Sequence, residues 1–409
     1  MPRLEGFQKI GGAVAYCAPV DTFGKSMLGE WLLDPAVTYL NHGTVGAPPR
    51  RVLEHQRAIT DEIERQPARF MLRELADTTG AATTPSRLRV AAAAVAEFVG
   101  VSPTDLAFVD NITAGANAVL RSFPVAPGDD IAVTNLGYGG VTNAAVYAAR
   151  TAGATLRPIT LPQPGAGSAA FVAAIADGLG PRTRLLVIDH ITASTALVLP
   201  LAEIAARAHE RGILVLADGA HVPGNIPVDI DALGVDWYAA NLHKWAWAPR
   251  STGILWAAPE HQAGLHPPVI SWGLDNGMSA EFDLLGTRDP SAHLAAPFAI
   301  EMMREFGLDA IYTHNHDLAW WAGGYLADCW GTAFTTPETM IGSMVNVRLP
   351  ASLGSTSADA ERLRSAMEDA GIEIPVYADE SSLTLRVSAQ IYNDRGDIEQ
   401  LADAVVKQV

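Results

Sequence analysis

Between about residues 85 and 260 the chain alternates two hydrophobic rhythms. Segments such as "SRLRVAAAAVAEFVG", "TAGANAVLRSF", "GGVTNAAVYAARTAG", "FVAAIADGLG" and "PLAEIAARAHERG" place apolar residues at helical spacing. Between them lie the short runs "DLAFVD", "DDIAVTN", "TLRPIT", "TRLLVIDH", "ILVLADGAH", "VDWYAANLH" and "TGILWAA", which read as strands. "LLVI" and "ILVLA" are apolar at every position, as strands are when helices cover both faces of their sheet. The alternation predicts an α/β fold, a mostly parallel sheet between two layers of helices. Past residue 261 a Pro/Gly-rich stretch breaks the rhythm. A helix over 291–306 and the helical stretch "YTHNHDLAWWAGGYLADCW" follow. The strands and helices from "MVNVRLP" to "DIEQLADAVVKQ" then form a smaller α+β set. The expected organisation is a segment 1–40 packing with the small domain, a large domain 41–290 and a small domain 291–409.

The polar residues Asp110, Asn135, Asp189, His190, Asp218 and His221 fall at the C-terminal ends of predicted strands. Ligands of open α/β sheets bind just beyond those ends. The chain holds only four lysines, Lys9, Lys25, Lys244 and Lys407, and the single interior one sits in "NLHKWAWAP".

Composition narrows the class. With 49% hydrophobic and 18% charged residues the chain is globular. Its formal net charge of −17 and scattered basic residues exclude a nucleic-acid footprint. No segment reaches the ~18 uninterrupted apolar residues of a membrane span, and "IGGAVAYCAPV" is too short and glycine-broken to read as a signal peptide. Two cysteines, Cys17 and Cys329, exclude a disulfide framework and a Cys-based zinc site, and imply a reducing, cytoplasmic setting. No metal site is expected.

The residues around Lys244 form a chemical set. Asp218 ends a buried strand, where a charged carboxylate needs a cationic partner. Lys244 follows 26 residues later. "DNITAGANAVL" places Asn111, Thr113, Ala114 and Gly115 at a helix start, whose free N–H groups and dipole bind anions. Asn241 and His243 add side-chain donors. An anion pocket, a buried carboxylate and a lysine with a depressed pKa suit pyridoxal 5′-phosphate (PLP). The helix start takes the phosphate, the carboxylate pairs with the protonated pyridine nitrogen, and the lysine forms a Schiff base.

At these residues the chain resembles the class V aminotransferase group of fold-type I PLP enzymes, within it the isopenicillin N epimerase-like branch. The likeness runs in order through "LNHGTVGAPPR", "DNITAGANAVLRSF", "DHITASTALVLPLAEI", "LADGAHVPGNIPVDIDALGVDWYAANLHKWAWAPRSTGILW", "GTRDPSAHLA" and "LRVSAQIYND". The resemblance implies that Lys244 carries the cofactor and Asp218 pairs with its ring nitrogen. It implies that His221 contacts the ring hydroxyl, with His190 near the same oxygen, and that Tyr138 stacks on the ring. Thr113, Ala114, Asn241 and His243 would bind phosphate. Thr287 would complete that site in the neighbouring subunit of a homodimer. Arg386 would clamp the substrate α-carboxylate, with Asn41 and His42 near the entrance.

PLP leaves the reaction open. Residues 330–409 contain no cysteine, and Cys329 in "YLADCW" reads as a buried structural residue, so a persulfide mechanism is disfavoured. β-Elimination from a cysteine S-conjugate, a C–S lyase of specialised metabolism, leads. Amino-acid epimerisation follows, then decarboxylation-coupled oxidative deamination or transamination, and last a non-catalytic PLP-binding protein. Trp245, Trp247 and Trp272 are candidate walls for a bulky substrate.

Overall fold

The continuous apolar runs become the strands of one sheet. A computed structural model describes residues 23–77, 84–379 and 381–409. The stretch around Cys17, Lys9 and most of the expected segment 1–40 lie outside the described residues.

The strands in chain order are β1 (Thr38–Tyr39), β2 (Leu106–Val109), β3 (Asp130–Thr134), β4 (Thr155–Ile159), β5 (Thr183–Asp189) and β6 (Leu214–Asp218). They continue with β7 (Trp237–Asn241), β8 (Gly253–Ala257), β9 (Met344–Arg348), β10 (Ile372–Glu373), β11 (Val376–Ala378) and β12 (Leu383–Ser388). Strands β2 to β8 form the seven-stranded sheet in the order β2-β8-β7-β6-β5-β3-β4. Only β8 runs antiparallel to its neighbours.

The helices that matter below are α1 (Arg50–Arg65), α2 (Arg87–Val99), α3 (Ile112–Ser122), α4 (Gly139–Ala152), α5 (Ser168–Gly178) and α6 (Leu201–His209). After them come α7 (Ser291–Phe306), α8 (Leu308–Trp330), α9 (Ser357–Asp369) and α10 (Arg395–Val406).

Alternation of side chains explains why the central runs are apolar throughout. Leu186, Ile188, Val215, Ala217, Tyr238 and Ala240 point into one core. Their neighbours Leu185, Val187, Leu216, Trp237 and Ala239 point into a second core on the opposite face, with α3 and α4. This parity decides which strand-end residues share a site.

The smaller unit is the antiparallel sheet β11-β12-β9, whose apolar face meets α8, α9 and α10 in a third core. Leu40, beside β1, joins that core, and β1 pairs in parallel with β10. Helix α7 packs on α1 and α2, and its Ala296, Ala299, Ile300 and Met303 belong to the first core. In α8 Ile311 belongs to the first core and the buried apolar residues from Leu318 to Trp330 to the third, while Met340, Met344, Ile391 and Tyr392 return to the first. Cys329 on α8 is exposed, contrary to the expected burial, because it falls on the side of the helix turned from the apolar stripe. Among the described residues no helix is long and apolar enough to cross a membrane.

Candidate active site

The C-terminal ends of β5, β6 and β7 and the start of α3 surround a cavity of about 460 Å³, within the usual range for small-ligand sites. Asp189, Asp218 and Asn241 end their strands on one parity, so all three enter it from the same face of the sheet. Among the remaining lining residues are Thr113, Tyr138, His221, His243, Lys244 and Arg250.

Lys244 stands in the turn between β7 and β8. Gly46 lets the backbones meet there: at φ 68° it is left-handed, and a Cβ would strike the His243 carbonyl and lie 2.8 Å from Lys244 Cα. The Lys244 Nζ is 3.1 Å from His221 Nε2. Burial, followed by the Arg386 charge, lowers the lysine to about 8, against the opposing pull of Asp218 and Asp189. Burial and then Lys244 push His221 well down. Neutral His221 thus accepts from Nζ at Nε2 and carries its proton on Nδ1, which is buried without a partner.

Asp218 accepts the Ala220 N–H through Oδ1 at 2.9 Å. Its Oδ2 is buried and unpaired, and burial raises the carboxyl to about 6. A protonated ring nitrogen is the partner that this buried, orphaned carboxylate oxygen on the cavity lining fits.

At the other end, Asn241 Oδ1 accepts the Ile112 N–H at 2.8 Å. Asn111 caps α3 by accepting the Ala114 N–H at 3.1 Å. Ala114 therefore does not line the cavity and its N–H is already engaged, whereas Thr113 does line it. His243 Nδ1 meets the Thr252 carbonyl at 3.1 Å, and burial holds the ring at about 4. An arriving phosphate would favour its imidazolium form, which donates from Nε2.

Several expected residues lie elsewhere. His190 takes the opposite strand parity from Asp189 and bonds Tyr238 Oη at 3.0 Å on the far side of the sheet, so it does not line the cavity. Asn135 is engaged by the Leu161 N–H at 2.8 Å. His42 is buried beneath the lysine, its Nε2 3.0 Å from the Lys244 carbonyl and its Nδ1 2.9 Å from Tyr392 Oη. It supports the turn and is not at the entrance. Asn41 donates to Glu373 at 2.8 Å and lines an adjoining cavity. Trp245 and Trp247 are core residues, and Trp272 is 83% exposed; none of the three lines the cavity. Thr287 is exposed and does not reach this chain's cavity.

Arg386 alternates with Leu385 and Val387 on β12, so those two enter the small core while Arg386 is buried facing the large unit. It donates to the Ala193 carbonyl and, at 2.8 Å, to Thr44 Oγ1, and its Nε has no partner. Thr44 and Ala193 both line the cavity. Among the described residues no carboxylate pairs with this guanidinium. Its buried charge awaits an anion.

Arg250, Asp189 and Thr44 line the cavity without having been assigned a role from sequence. The parity of β5 against β6 carried the signal for Asp189, and "APRSTG", six residues beyond Lys244, that for Arg250.

A family model, aminotransferase class-V, matches residues 47–401. The chain belongs to this family. It is a PLP-dependent enzyme. The chain is 33% identical to isopenicillin N epimerase of Streptomyces clavuligerus, covering 92% of this chain and 96% of that protein. It is 30% identical to L-cysteine desulfhydrase of Arabidopsis thaliana, covering 91% and 88%. In fold it is similar to apo cysteine desulfurase from Thermococcus onnurineus, with a TM-score of 0.77, 17% identity and coverage of 96% and 99%. It is also similar to the cystine C–S lyase C-DES, with a TM-score of 0.73, 23% identity and coverage of 90% and 97%.

Proposed function

We propose that this class V enzyme is a carbon–sulfur lyase that eliminates a thiol from a cysteine S-conjugate. The carrying observation is a second cavity of about 520 Å³ that shares Thr44 and Val45 with the first, beside the Thr44–Arg386 contact. A substrate held by its α-carboxylate at Arg386 has room there for a bulky sulfur substituent. L-Cysteine desulfhydrases among the relatives support the same bond cleavage.

When bound, the cofactor supplies the electron sink for the Cα carbanion. Arg386 holds the α-carboxylate as a bidentate pair. Asp218, ionised, keeps the ring nitrogen protonated. Lys244, lowered to about 8 by burial, removes the Cα proton and can return it to the departing sulfur. His221 holds Nζ between turns of this proton traffic. The products are thiol and, after hydrolysis, pyruvate and ammonia.

Epimerisation is the second reading, favoured by Tyr138, a phenol among the lining residues of the same cavity. The exposed run Val269, Ile270, Trp272 and Leu274, close in sequence to Thr287, supports a homodimer that buries it. The cysteine content supports a reducing, cytoplasmic location.

Incubation with S-alkylcysteines in D₂O tests the proposal. Pyruvate and thiol in equal amounts are expected. Recovered substrate carrying deuterium at Cα, racemised and without pyruvate, establishes epimerisation instead. Aldehyde with oxygen uptake also rejects the lyase.

A further inference from the structure

Asp189 has no role in the chemistry above, yet it is buried, lines the cavity and is the register partner of Asp218 on the neighbouring strand. Both carboxyls enter from the face of the sheet that carries Val187 and Leu216. The order across the sheet locates each group. Thr113 follows β2, Asn241 to Lys244 end or follow β7, Asp218 ends β6, and Asp189 ends β5. The anion-binding end therefore lies on one side of Asp218, and Asp189 lies on the other. A ring held with its phosphate at Thr113 and its nitrogen at Asp218 would turn its remaining edge, which in PLP bears the phenolic hydroxyl, toward β5.

Two ionised, buried carboxylates in neighbouring register repel, so one of them keeps its proton. Asp218 is the one whose ring partner requires a negative charge. Asp189 Oδ1 accepts the Tyr138 N–H at 3.4 Å, and the Ala193 N–H also approaches the carboxyl. Both contacts favour ionisation, but burial and then the Asp218 charge outweigh them and raise Asp189 well above the carboxylate range. The nearby His190 is turned to the opposite face, where it bonds Tyr238.

We infer that Asp189 is a second carboxyl of the cofactor site, the proton-bearing member of the pair, and donates a hydrogen bond to the ring edge away from the phosphate while Asp218 holds the ring nitrogen. The inference is independent of which bond the enzyme breaks.

The test is a titration of cofactor-free protein with PLP, reading the dissociation constant and the absorption maximum of the bound form. Asp189→Asn keeps an uncharged donor, and Asp189→Leu keeps the volume without one. The Asn variant is expected within about threefold of the native dissociation constant, with its band unmoved. The Leu variant is expected to bind about 3- to 10-fold more weakly, the range of one neutral hydrogen bond, with a displaced band. An Asn variant as impaired as Leu shows an ionised Asp189 and overturns the inference. A Leu variant with native affinity and band shows a packing role only and also overturns it. If circular dichroism shows the Leu variant unfolded, Asp189→Ala supplies the donor-free comparison. A more than tenfold loss in the Asn variant is decisive against the inference by itself.

Discussion

In an Asp218→Asn variant the side chain keeps its shape and its acceptor for the Ala220 N–H but loses its charge. Burial raises the native carboxyl from its ordinary 3.8 to about 6. The folded protein therefore holds this proton more tightly than the unfolded chain. For this group stability is greatest below pH 3.8, falls as the pH rises from 3.8 to about 6, and is level above. At 1.36 kcal/mol per pH unit the fall amounts to about 3 kcal/mol, and near-complete burial leaves little solvent screening to reduce it. Asn has no such fall. Urea unfolding of the two cofactor-free proteins at pH 4 and pH 7 is thus expected to show the variant gaining roughly 2 kcal/mol on the native protein between the two pH values, because part of the fall has already occurred at pH 4. Comparing pH values cancels any fixed cost of the buried amide. PLP affinity moves the other way. Loss of a hydrogen bond to a charged group, about 1.5–3 kcal/mol, weakens binding roughly 10- to 150-fold. A stability gap that does not change with pH, or native affinity in the variant, refutes the reasoning.

Borohydride reduction of the PLP-loaded protein followed by mass spectrometry is expected to find the cofactor on Lys244 and no adduct in Lys244→Ala; a retained adduct removes the assignment. With its lysine lowered to about 8, the cofactor-free protein is expected to condense with PLP at a rate that rises through pH 8 and is level by pH 10, whereas a midpoint near 10.5 contradicts the burial seen here. Arg386→Lys keeps the charge but not the planar fork, and is expected to raise KM for the amino acid by about 10- to 100-fold with the cofactor spectrum intact. His42→Ala removes both buried hydrogen bonds and the ring, and is expected to cost about 2–4 kcal/mol in urea unfolding while PLP still reduces onto Lys244.

The sheet was legible because its strands are buried on both faces, so each appears as an unbroken apolar run bounded by helical spacing. Asp218 and Lys244 were legible as a buried charge and a lone interior amine. His190 was misplaced for a reason within reach of the sequence: Asp218 ends its strand on the face of Leu216, and the same count along β5 selects Asp189. Ala114 was misplaced because the cap residue was not identified. Once Asn111 occupies that position, its side chain takes the Ala114 N–H. His42 and Trp245 depend on long-range docking, and no local pattern distinguishes a histidine beneath a lysine from one facing its substrate.

The underside of Lys244 has a consequence for biosynthesis. Its carbonyl rests on His42, which is bonded to Tyr392, and Trp31 packs edge-on against both Trp247, at 5.4 Å, and Tyr392, at 4.9 Å. These residues span some 360 positions of the chain. A ribosome that has delivered everything through β8 has supplied the lysine and both carboxyls, but neither Tyr392 nor Arg386. The nascent chain then carries the lysine with His42 beneath it but without the Tyr392 hydroxyl that bonds His42, so the floor of the turn is completed only once synthesis has passed residue 392.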